Sequence, residues 1–345
     1  MELRTLRSIV EALGQPALVL SPGYRVRVAN ADAERFFERD VEGLDVARIL
    51  RQPEIRRLLE RVSDSRDRQT ETIVIHRNVP RSIQVAIGPL RNGEPEEMDF
   101  LMTLTDVSGQ VDAERSRSTF VANVSHELRS PLTTLLGAVE TLQGPARDRP
   151  DARERFLRLM HTETQRMSRL VADLLNLAKQ EAQEHVRPDR ELHLDRLLKQ
   201  VASALEASES YQGGRLQLNL SETPTVRGAE DDLFEAFRNI VENALRYSPP
   251  ESPVTIRLRH SPSTSPTHGE RVVVEVEDHG DGIDAEHVPR LTDRFYRVDK
   301  GRSREMGGTG LGLAIVKHIV NRHRGRLNIR SEPGVGTTVT VTLPV

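Results

Sequence analysis

Apolar and polar residues alternate in short runs through the first part of the chain. The segment PALVLSPGYRVRVAN predicts two strands around a Ser-Pro-Gly turn, and ADAERFFE predicts a helix after them. Three more strands are expected in TETIVIH, RSIQVAIGPL and MDFLMTLTDV. The pattern therefore predicts a small α/β module with a meandering sheet over residues 1–108.

From residue 109 onward, apolar residues recur at steps of three and four, which is the spacing along one face of a helix. Residues 109–142 and 151–182 both keep this spacing, and the loop GPARDRP separates them. Because an antiparallel hairpin of two such helices cannot bury both apolar faces alone, we expect a homodimer that forms a four-helix bundle. The apolar positions are Val121, Val124, Leu128, Leu132, Leu135, Val139 and Leu142, then Phe156, Leu159, Met160, Met167, Leu170, Val171, Leu174 and Ala178.

The last part of the chain, residues 191–345, contains both the alternating pattern of strands and the three-and-four spacing of helices. It follows a polar linker at 183–190. Helices are expected at 192–209, 228–247 and 310–323. Strands are expected in RLQLNL, PVTIRLRH, RVVVEVED, GRLNIRS and GTTVTVTLP. The charged, glycine-bounded stretch from Ile283 to Thr309 predicts a lid. The whole pattern indicates a multidomain α+β protein.

Composition restricts the possible functions. The chain has 345 residues, of which 37% are hydrophobic and 29% charged, and its net charge of -3 gives no sign of a nucleic-acid partner. It contains no cysteine, which excludes disulfides, thiolate zinc sites, iron–sulfur clusters and cysteine nucleophiles. Since no uncharged run approaches the roughly 18 to 20 apolar residues of a membrane span, we expect a cytoplasmic chain unless an N-terminal anchor precedes it.

A titratable pair, His126 and Glu127, lies on the predicted packing helix of residues 109–142. Pro131 follows His126 by five positions and lacks the N–H that would bond the carbonyl of Glu127. An isolated helical histidine is more often structural than catalytic. The pair therefore needs support from other residues before it indicates chemistry.

Glycine and asparagine recur in the last domain, in the order NIVENALRYSPP, EDHGDGI, GGTGLGLAIVKHIV and GVGTT. Glycine lets the backbone approach a phosphate, and a helix N-terminus favours the anion. One such stretch alone is more often a tight turn. In this order, the stretches resemble the ATP-binding domain of sensor histidine kinases, a Bergerat-type α/β sandwich related to gyrase and MutL. With FVANVSHELRSPLTTL upstream, the resemblance covers residues 109–345.

The resemblance implies ATP and Mg²⁺ as cofactors and assigns residues to them. Asn243 would ligate Mg²⁺, and Asn239, one helical turn earlier, would support it. Tyr247 would pack near adenine, and Asp278 would accept a hydrogen bond from the adenine amino group. Two arginines would reach the phosphates, and glycines would allow close approach of the base and the phosphates. The remaining assigned residues are Arg246, Gly280, Gly282, Arg297, Gly308, Thr309, Gly310, Leu311 and Gly312.

The same resemblance makes His126 the phosphoryl acceptor, whose phosphoryl group would pass to an aspartate in the receiver domain of a response regulator. Glu127 would fix the ring tautomer and take up developing positive charge. Ser130 stands where relatives usually have threonine or asparagine to orient the water that dephosphorylates the regulator. Phosphatase activity is therefore expected as a possible second activity, with Ser130 setting its strength.

The first 108 residues resemble a PAS sensory domain more loosely, through their strand-helix-strand order. The stretch VPRLTDRFYRVDKGRSREMGGTGLGLAIVKHIVNRHRGRL is similar to sensor kinases of the phosphate-regulon type, which usually begin with membrane segments. Two alternatives stay open. One is another ATPase of the same superfamily, and the other is a catalytically inactive scaffold of PAS module and bundle.

Overall fold

The computed structural model divides the chain into two compact units, residues 1–119 and 120–345. No helix in the described ranges is both long enough and apolar enough to cross a membrane. The structure describes residues 3–76, 79–90, 98–183, 186–207, 214–262, 269–299 and 308–345.

The N-terminal unit is built on a five-stranded antiparallel sheet with the order β2-β1-β5-β4-β3. The predicted meander is therefore wrong, because β5 lies between β1 and β4. Every residue of β1 is fully buried, so this strand needs a neighbour on each side. The elements are α1 (Leu3–Glu11), β1 (Ala17–Leu20), β2 (Val26–Ala29), α2 (Ala31–Phe37), α3 (Val46–Ile49), α4 (Pro53–Ser65), β3 (Gln69–Ile75), β4 (Arg81–Leu90) and β5 (Asp99–Asp106).

Three helices of this unit escaped the sequence analysis. Helix α1 packs Leu6 and Val10 against the sheet, and α4 buries an apolar stripe that includes Ile55 and Leu58. Both helices are mostly polar in composition, so their apolar faces are narrow. Helix α3 is a single turn that Asp45 caps by accepting a hydrogen bond from the backbone N–H of Ala47.

Two long helices follow, α5 (Ser108–Gln143) and α6 (Pro150–Gln183), with limits close to those predicted. Helix α5 continues through Pro131. The predicted apolar positions serve two different surfaces, since Leu128, Leu170 and Leu174 pack against the C-terminal core whereas Val121 and Leu132 are at least half exposed. The buried positions of α6 are Arg166, Leu170, Leu177 and Gln180.

The remainder of the second unit is an α/β sandwich. Its sheet has the order β11-β12-β10-β9-β7, in which only β7 pairs in parallel, and α7, α8 and α9 pack on it around Phe237. The predicted elements are confirmed to within about three residues wherever the structure describes them. The observed elements are β6 (Glu191–Leu192), α7 (Leu194–Glu206), β7 (Leu216–Leu220), β8 (Val226–Arg227), α8 (Glu230–Tyr247), β9 (Val254–Ser261), β10 (Arg271–Asp278), α9 (Gly312–Arg322), β11 (Arg326–Glu332) and β12 (Gly336–Pro344), of which the two-residue strands β6 and β8 were not predicted.

The predicted lid begins after β10 and includes a 3₁₀ turn at Val288–Arg290. Residues 300–307, near its C-terminal end, lie outside the described residues. The backbone N–H of Phe295 donates a 2.8 Å hydrogen bond to the carbonyl of Gly310, which fixes the described part of the lid beside the loop that precedes α9.

Candidate active site

A cavity of about 530 Å³ opens in the second unit between α8, the end of β10, the lid and the loop before α9. Helix α8 turns its apolar face into the core and leaves Asn239 and Asn243, one helical turn apart, on the cavity side. The predicted nucleotide-binding residues in its lining are Asn239, Asn243, Arg246, Tyr247, Asp278, Gly280, Gly282, Arg297, Gly308, Thr309, Gly310 and Gly312.

Leu311 differs from the other predicted residues because its side chain is fully buried in the core and does not line the cavity. Its backbone N–H donates to the hydroxyl of Thr309 at 3.3 Å. No side chain caps the first turn of α9, which begins at Gly312. The first backbone N–H groups of this helix are therefore suited to bind an anion at the cavity wall.

The C-terminal end of α8 is held by Arg215, whose guanidinium donates to four backbone carbonyls at the end of the helix and in the turn after it. These bonds satisfy acceptors that a helix end leaves without partners. At the other side of the cavity, the amide nitrogen of Asn239 donates to Glu235, and its oxygen lies toward Gly312. A Cβ at position 312 would lie only 2.9 Å from that oxygen.

Asp278 is the acceptor at the far end of the cavity. Its Oδ1 accepts hydrogen bonds from the backbone N–H groups of Gly280 at 2.9 Å and Thr337 at 3.2 Å. Burial raises the pKa of Asp278 above its usual value, and the two backbone bonds oppose that rise. The carboxyl group is thus fixed in orientation while it lines the cavity.

Glycine is required beside this acceptor. Gly282 has a φ of +69°, and a Cβ there would lie 2.0 Å from the carbonyl oxygen of Glu332. A Cβ on Gly280 would lie 2.5 Å from the carbonyl oxygen of Tyr247. Since real side chains cannot approach backbone atoms so closely, both positions exclude any residue with a Cβ.

Helix α6 also contributes to the cavity lining, through Arg169, Ala172 and Asp173, and the sequence analysis missed this. Asp173 accepts a 2.6 Å hydrogen bond from the hydroxyl of Thr309. Burial raises the pKa of Asp173, the Thr309 bond lowers it, and Glu235 raises it further. The only sequence signal that α6 lines the cavity was a pair of polar residues, Arg169 and Asp173, four positions apart within its apolar pattern.

His126 is exposed on α5, and Glu127 beside it is enclosed by arginines. The Glu127 carboxylate pairs with Arg166 at 2.9 Å and with Arg297 of the cavity lining at 3.5 Å. Arg166 is almost fully buried and also approaches Glu163 at 3.6 Å. Ser130, half-buried one turn after His126, accepts a bond at its carbonyl from the Thr134 hydroxyl.

Further contacts join the lid to α5 and α6. The rings of Phe295 and Phe120 lie 5.8 Å apart, and Arg294 pairs with Glu181 at 2.6 Å. The contact between Arg297 and Glu127 therefore belongs to a continuous surface, along which one wall of the cavity reaches the residue next to His126.

The cavity offers one suitable side-chain ligand for Mg²⁺. No group of three or more His, Asp or Glu side chains that could hold a metal ion occurs within the parts of the chain that the structure describes. Mg²⁺ in nucleotide sites commonly takes few protein ligands and completes its shell with phosphate oxygens and water. The amide oxygen of Asn243 suits this arrangement.

Family models match the chain in three consecutive segments. Residues 10–112 match the PAS fold, and residues 116–183 match the phospho-acceptor domain of histidine kinases, called His Kinase A. Residues 228–345 match the histidine kinase-, DNA gyrase B- and HSP90-like ATPase, which supports the use of ATP. The chain is therefore a multidomain α+β protein that belongs to the sensor histidine kinases.

Two curated relatives each match about 70% of the chain. The phosphate regulon sensor protein PhoR of Pseudomonas aeruginosa is 42% identical over 242 residues, which cover 70% of this chain and 53% of the relative. The sensor protein kinase WalK of Staphylococcus aureus is 36% identical over 245 residues, 71% of this chain and 58% of the relative. The chain thus spans little more than half the length of these relatives.

A solved complex of the histidine kinase ThkA with the response regulator TrrA overlaps 98% of this chain and 97% of that one. Its TM-score is 0.48 and its sequence identity is 20%.

Proposed function

We propose that the protein is an ATP-dependent histidine kinase that phosphorylates its own His126 and passes the phosphoryl group to an aspartate of a response regulator. The observation that carries this proposal is the contact between Arg297, which lines the nucleotide cavity, and Glu127, which neighbours His126. Nε2 of a neutral imidazole would attack the γ-phosphorus, the bond to the ADP oxygen would break, and Glu127 would receive the Nδ1 proton. A bound Mg²⁺ would neutralise phosphate charge, and Asn243 would hold it.

The two groups that we propose to bind phosphate have carboxylate partners within the chain. Arg297 pairs with Glu127, and the Thr309 hydroxyl bonds to Asp173. A nucleotide that draws both groups to its phosphates would leave Glu127 paired with Arg166 and remove the charge of Arg297 from beside it. Nucleotide binding and activation of the histidine would then be one event.

The test is incubation of the chain with radiolabelled ATP and Mg²⁺. We expect an acid-labile, base-stable label that His126→Gln removes. His161→Gln is the matched control, since His161 is also an exposed histidine of the hairpin, and this variant should label normally. Label in His126→Gln would overturn the assignment of the acceptor, and absence of label from the unaltered chain would overturn the kinase.

We also propose a homodimer formed through α5 and α6, in which residues 109–182 form the bundle between a sensory domain at 1–108 and, after a linker at 183–190, an ATP-binding domain at 191–345. Large apolar side chains on these helices, including Val121, Leu132 and Leu175, are at least half exposed in the single chain. Leu175→Glu should therefore shift the light-scattering mass from dimer to monomer, whereas the exposed polar change Lys179→Glu should not.

The regulator is proposed to be of the phosphate-regulon type, as the PhoR relative suggests. Phosphotransfer from the labelled chain to a panel of receiver domains would identify it by the fastest transfer. Phosphatase activity is proposed to depend on Ser130, and Ser130→Ala should slow loss of label from the regulator without slowing His126 labelling. Equal rates of regulator dephosphorylation in both chains would remove Ser130 from that role.

A further inference from the structure

A second cavity, of about 300 Å³, lies in the N-terminal unit beside β3, which is an edge strand of the sheet. Its apolar wall is made by side chains from the end of α2, from α3 and its following residue, and from the end of β3. They are Phe37, Ile49, Leu50 and Ile75. Phe37 and Leu50 are buried, so this wall is continuous with the core of the unit.

The polar rim of this cavity carries Arg39, Arg48, Arg51 and His76, and among the residues that the structure describes no Asp or Glu lines it. Arg39 donates a 3.3 Å hydrogen bond to the carbonyl of Arg48, which joins the loop after α2 to α3. Within the described residues, the guanidinium groups of Arg48 and Arg51 make no hydrogen bond or ion pair. The rim therefore combines positive charges without a compensating carboxylate.

Five other arginines of the same unit pair with carboxylates. The pairs are Arg7 with Glu42, Arg27 with Asp99, Arg56 with Glu60, Arg61 with Glu71 and Arg81 with Asp106. The rim arginines instead place positive charge at a concave apolar surface, where low-dielectric walls strengthen the field of the charges. Guanidinium groups in such a place suit the paired oxygens of a carboxylate or a phosphate.

Gln52 provides a second, independent observation. It occupies the N-cap position of α4, yet its side chain makes no capping bond to the helix. Its Oε1 atom is buried and has no hydrogen-bond partner among the described residues. A buried acceptor without a donor is costly, and a small shift of this side chain toward the cavity it lines would let a donor on a bound molecule satisfy it.

We propose that this cavity binds a small organic anion that has an apolar body, a carboxylate or phosphate ester and a hydroxyl donor. Arg48 and Arg51 bind the anionic oxygens, the wall around Phe37 and Leu50 covers the apolar body, and Gln52 accepts the hydroxyl hydrogen. The volume lies at the lower end of the range for small-molecule sites, which excludes large ligands. Because the cavity lies in the module that resembles PAS, its ligand is a candidate signal for the protein.

The experiment is calorimetric titration of the full chain, saturated with a non-hydrolysable ATP analogue so that the nucleotide cavity is occupied. The probes are 4-hydroxybenzoate, phenyl phosphate, inorganic phosphate and the neutral 4-hydroxybenzyl alcohol. We expect one or both organic anions to bind, and their relative affinity distinguishes a carboxylate from a phosphate ligand. Inorganic phosphate and the neutral alcohol should bind at least about tenfold more weakly, because phosphate has no apolar body and the alcohol has no anionic group.

The variant Arg48→Gln/Arg51→Gln should weaken binding of the organic anions by about tenfold or more. Arg57→Gln is the matched control, because Arg57 is an exposed arginine of α4 that lies outside the cavity lining. Gln52→Leu should weaken 4-hydroxybenzoate more than benzoate. Absence of binding by both organic anions, or equal affinities in the double variant and the unaltered chain, would overturn the proposal. The measurement needs no kinase activity, so its failure is separate from failure of the proposed function.

Discussion

The nucleotide cavity of the C-terminal unit is shaped by backbone, whereas the cavity of the N-terminal unit is shaped by side-chain charge. Gly280 and Gly282 lie so close to other backbone atoms that no Cβ fits, and Asp278 is oriented by two backbone N–H groups. The N-terminal cavity has an apolar wall and a rim of arginines, with no glycine in its lining. A backbone-built site recognises one shape, while a charge-built site can change its ligand through one substitution.

The sharpest test of the backbone-built cavity is Gly282→Ala. A Cβ would lie 2.0 Å from the Glu332 carbonyl oxygen, at a φ of +69°, so the backbone must move. We expect a loss of stability on the order of 3 kcal/mol and loss of ATP-analogue binding. Urea unfolding and calorimetry measure these two effects.

Gly334→Ala is the control for Gly282→Ala, because it introduces the same backbone strain without a close contact. Gly334 has a φ of +78°, but nothing lies within 4 Å of a Cβ at this position. Its substitution should cost only about 1 to 2 kcal/mol and leave nucleotide binding intact. If both variants lost equal stability, the close contact at Gly282 would not be the cause.

Asn243→Ala tests the proposed role of a side chain in the same cavity. Loss of the only protein ligand proposed for Mg²⁺ should reduce His126 labelling on the order of a hundredfold. The measurement is the initial labelling rate at saturating Mg²⁺. Asn321→Ala, which removes an exposed amide from α9 outside the cavity, should label at the normal rate. Normal labelling of Asn243→Ala would place the nucleotide site elsewhere.

Asp173→Asn tests the contribution of α6 to the cavity, with a smaller effect. Asparagine can still accept the Thr309 hydrogen bond, but the negative charge beside the loop that precedes α9 is removed. We expect the affinity for an ATP analogue to rise about three- to tenfold in a calorimetric titration. Asp151→Asn, an exposed acid of the same helix, is the control. A fall in affinity would mean that Asp173 assists nucleotide binding.

The smallest effect concerns pH. Burial raises the pKa of Asp278, so the folded state holds this proton more tightly than the unfolded chain does. The resulting stability is fully present below the unfolded value of 3.8 and is lost as pH rises through the raised pKa. Adenosine binding should change in the opposite direction and weaken as pH falls through that pKa, because the carboxylate is the better acceptor.

Asp278→Asn should bind adenosine weakly and lose that part of the pH dependence. Adenosine is the suitable probe because it has no phosphates that titrate in the same range. A pH profile that is identical in both chains would assign the dependence to other carboxylates of the cavity, such as Asp173 and Glu242, whose pKa values burial also raises.

The sequence predicted the parts of the molecule that local rules control. Strand and helix limits in the C-terminal unit followed from apolar periods, and the glycines of the cavity were assigned through the resemblance to the ATP-binding domain of sensor histidine kinases. The place of β5 between β1 and β4 did not follow, since alternation defines which face of a strand is apolar but not which strands it joins. The period of α6 likewise predicted an apolar face without showing that Leu170 and Leu177 pack in the ATP-binding core.

The contacts of Glu127 were also beyond the sequence. The motif placed this residue beside His126, and an interaction with the ring was expected. The structure instead pairs it with Arg166 from α6 and with Arg297 from the lid, which is 170 positions away in the chain. Such a contact depends on the docking of two folded elements, and no local pattern of residues encodes it.

The buried and half-buried polar side chains of α6 specify the register in which this helix packs. Arg166, Asp173 and Gln180 are spaced by seven residues, and each bonds to a partner on another element, at Glu127, Thr309 and Asp232. Leu170 and Leu177, also seven apart, fill the gaps between them. Leucines alone would tolerate a register shift of seven residues, but three polar side chains with three different partners do not. These three pairs therefore specify one register of α6 against the elements it packs on.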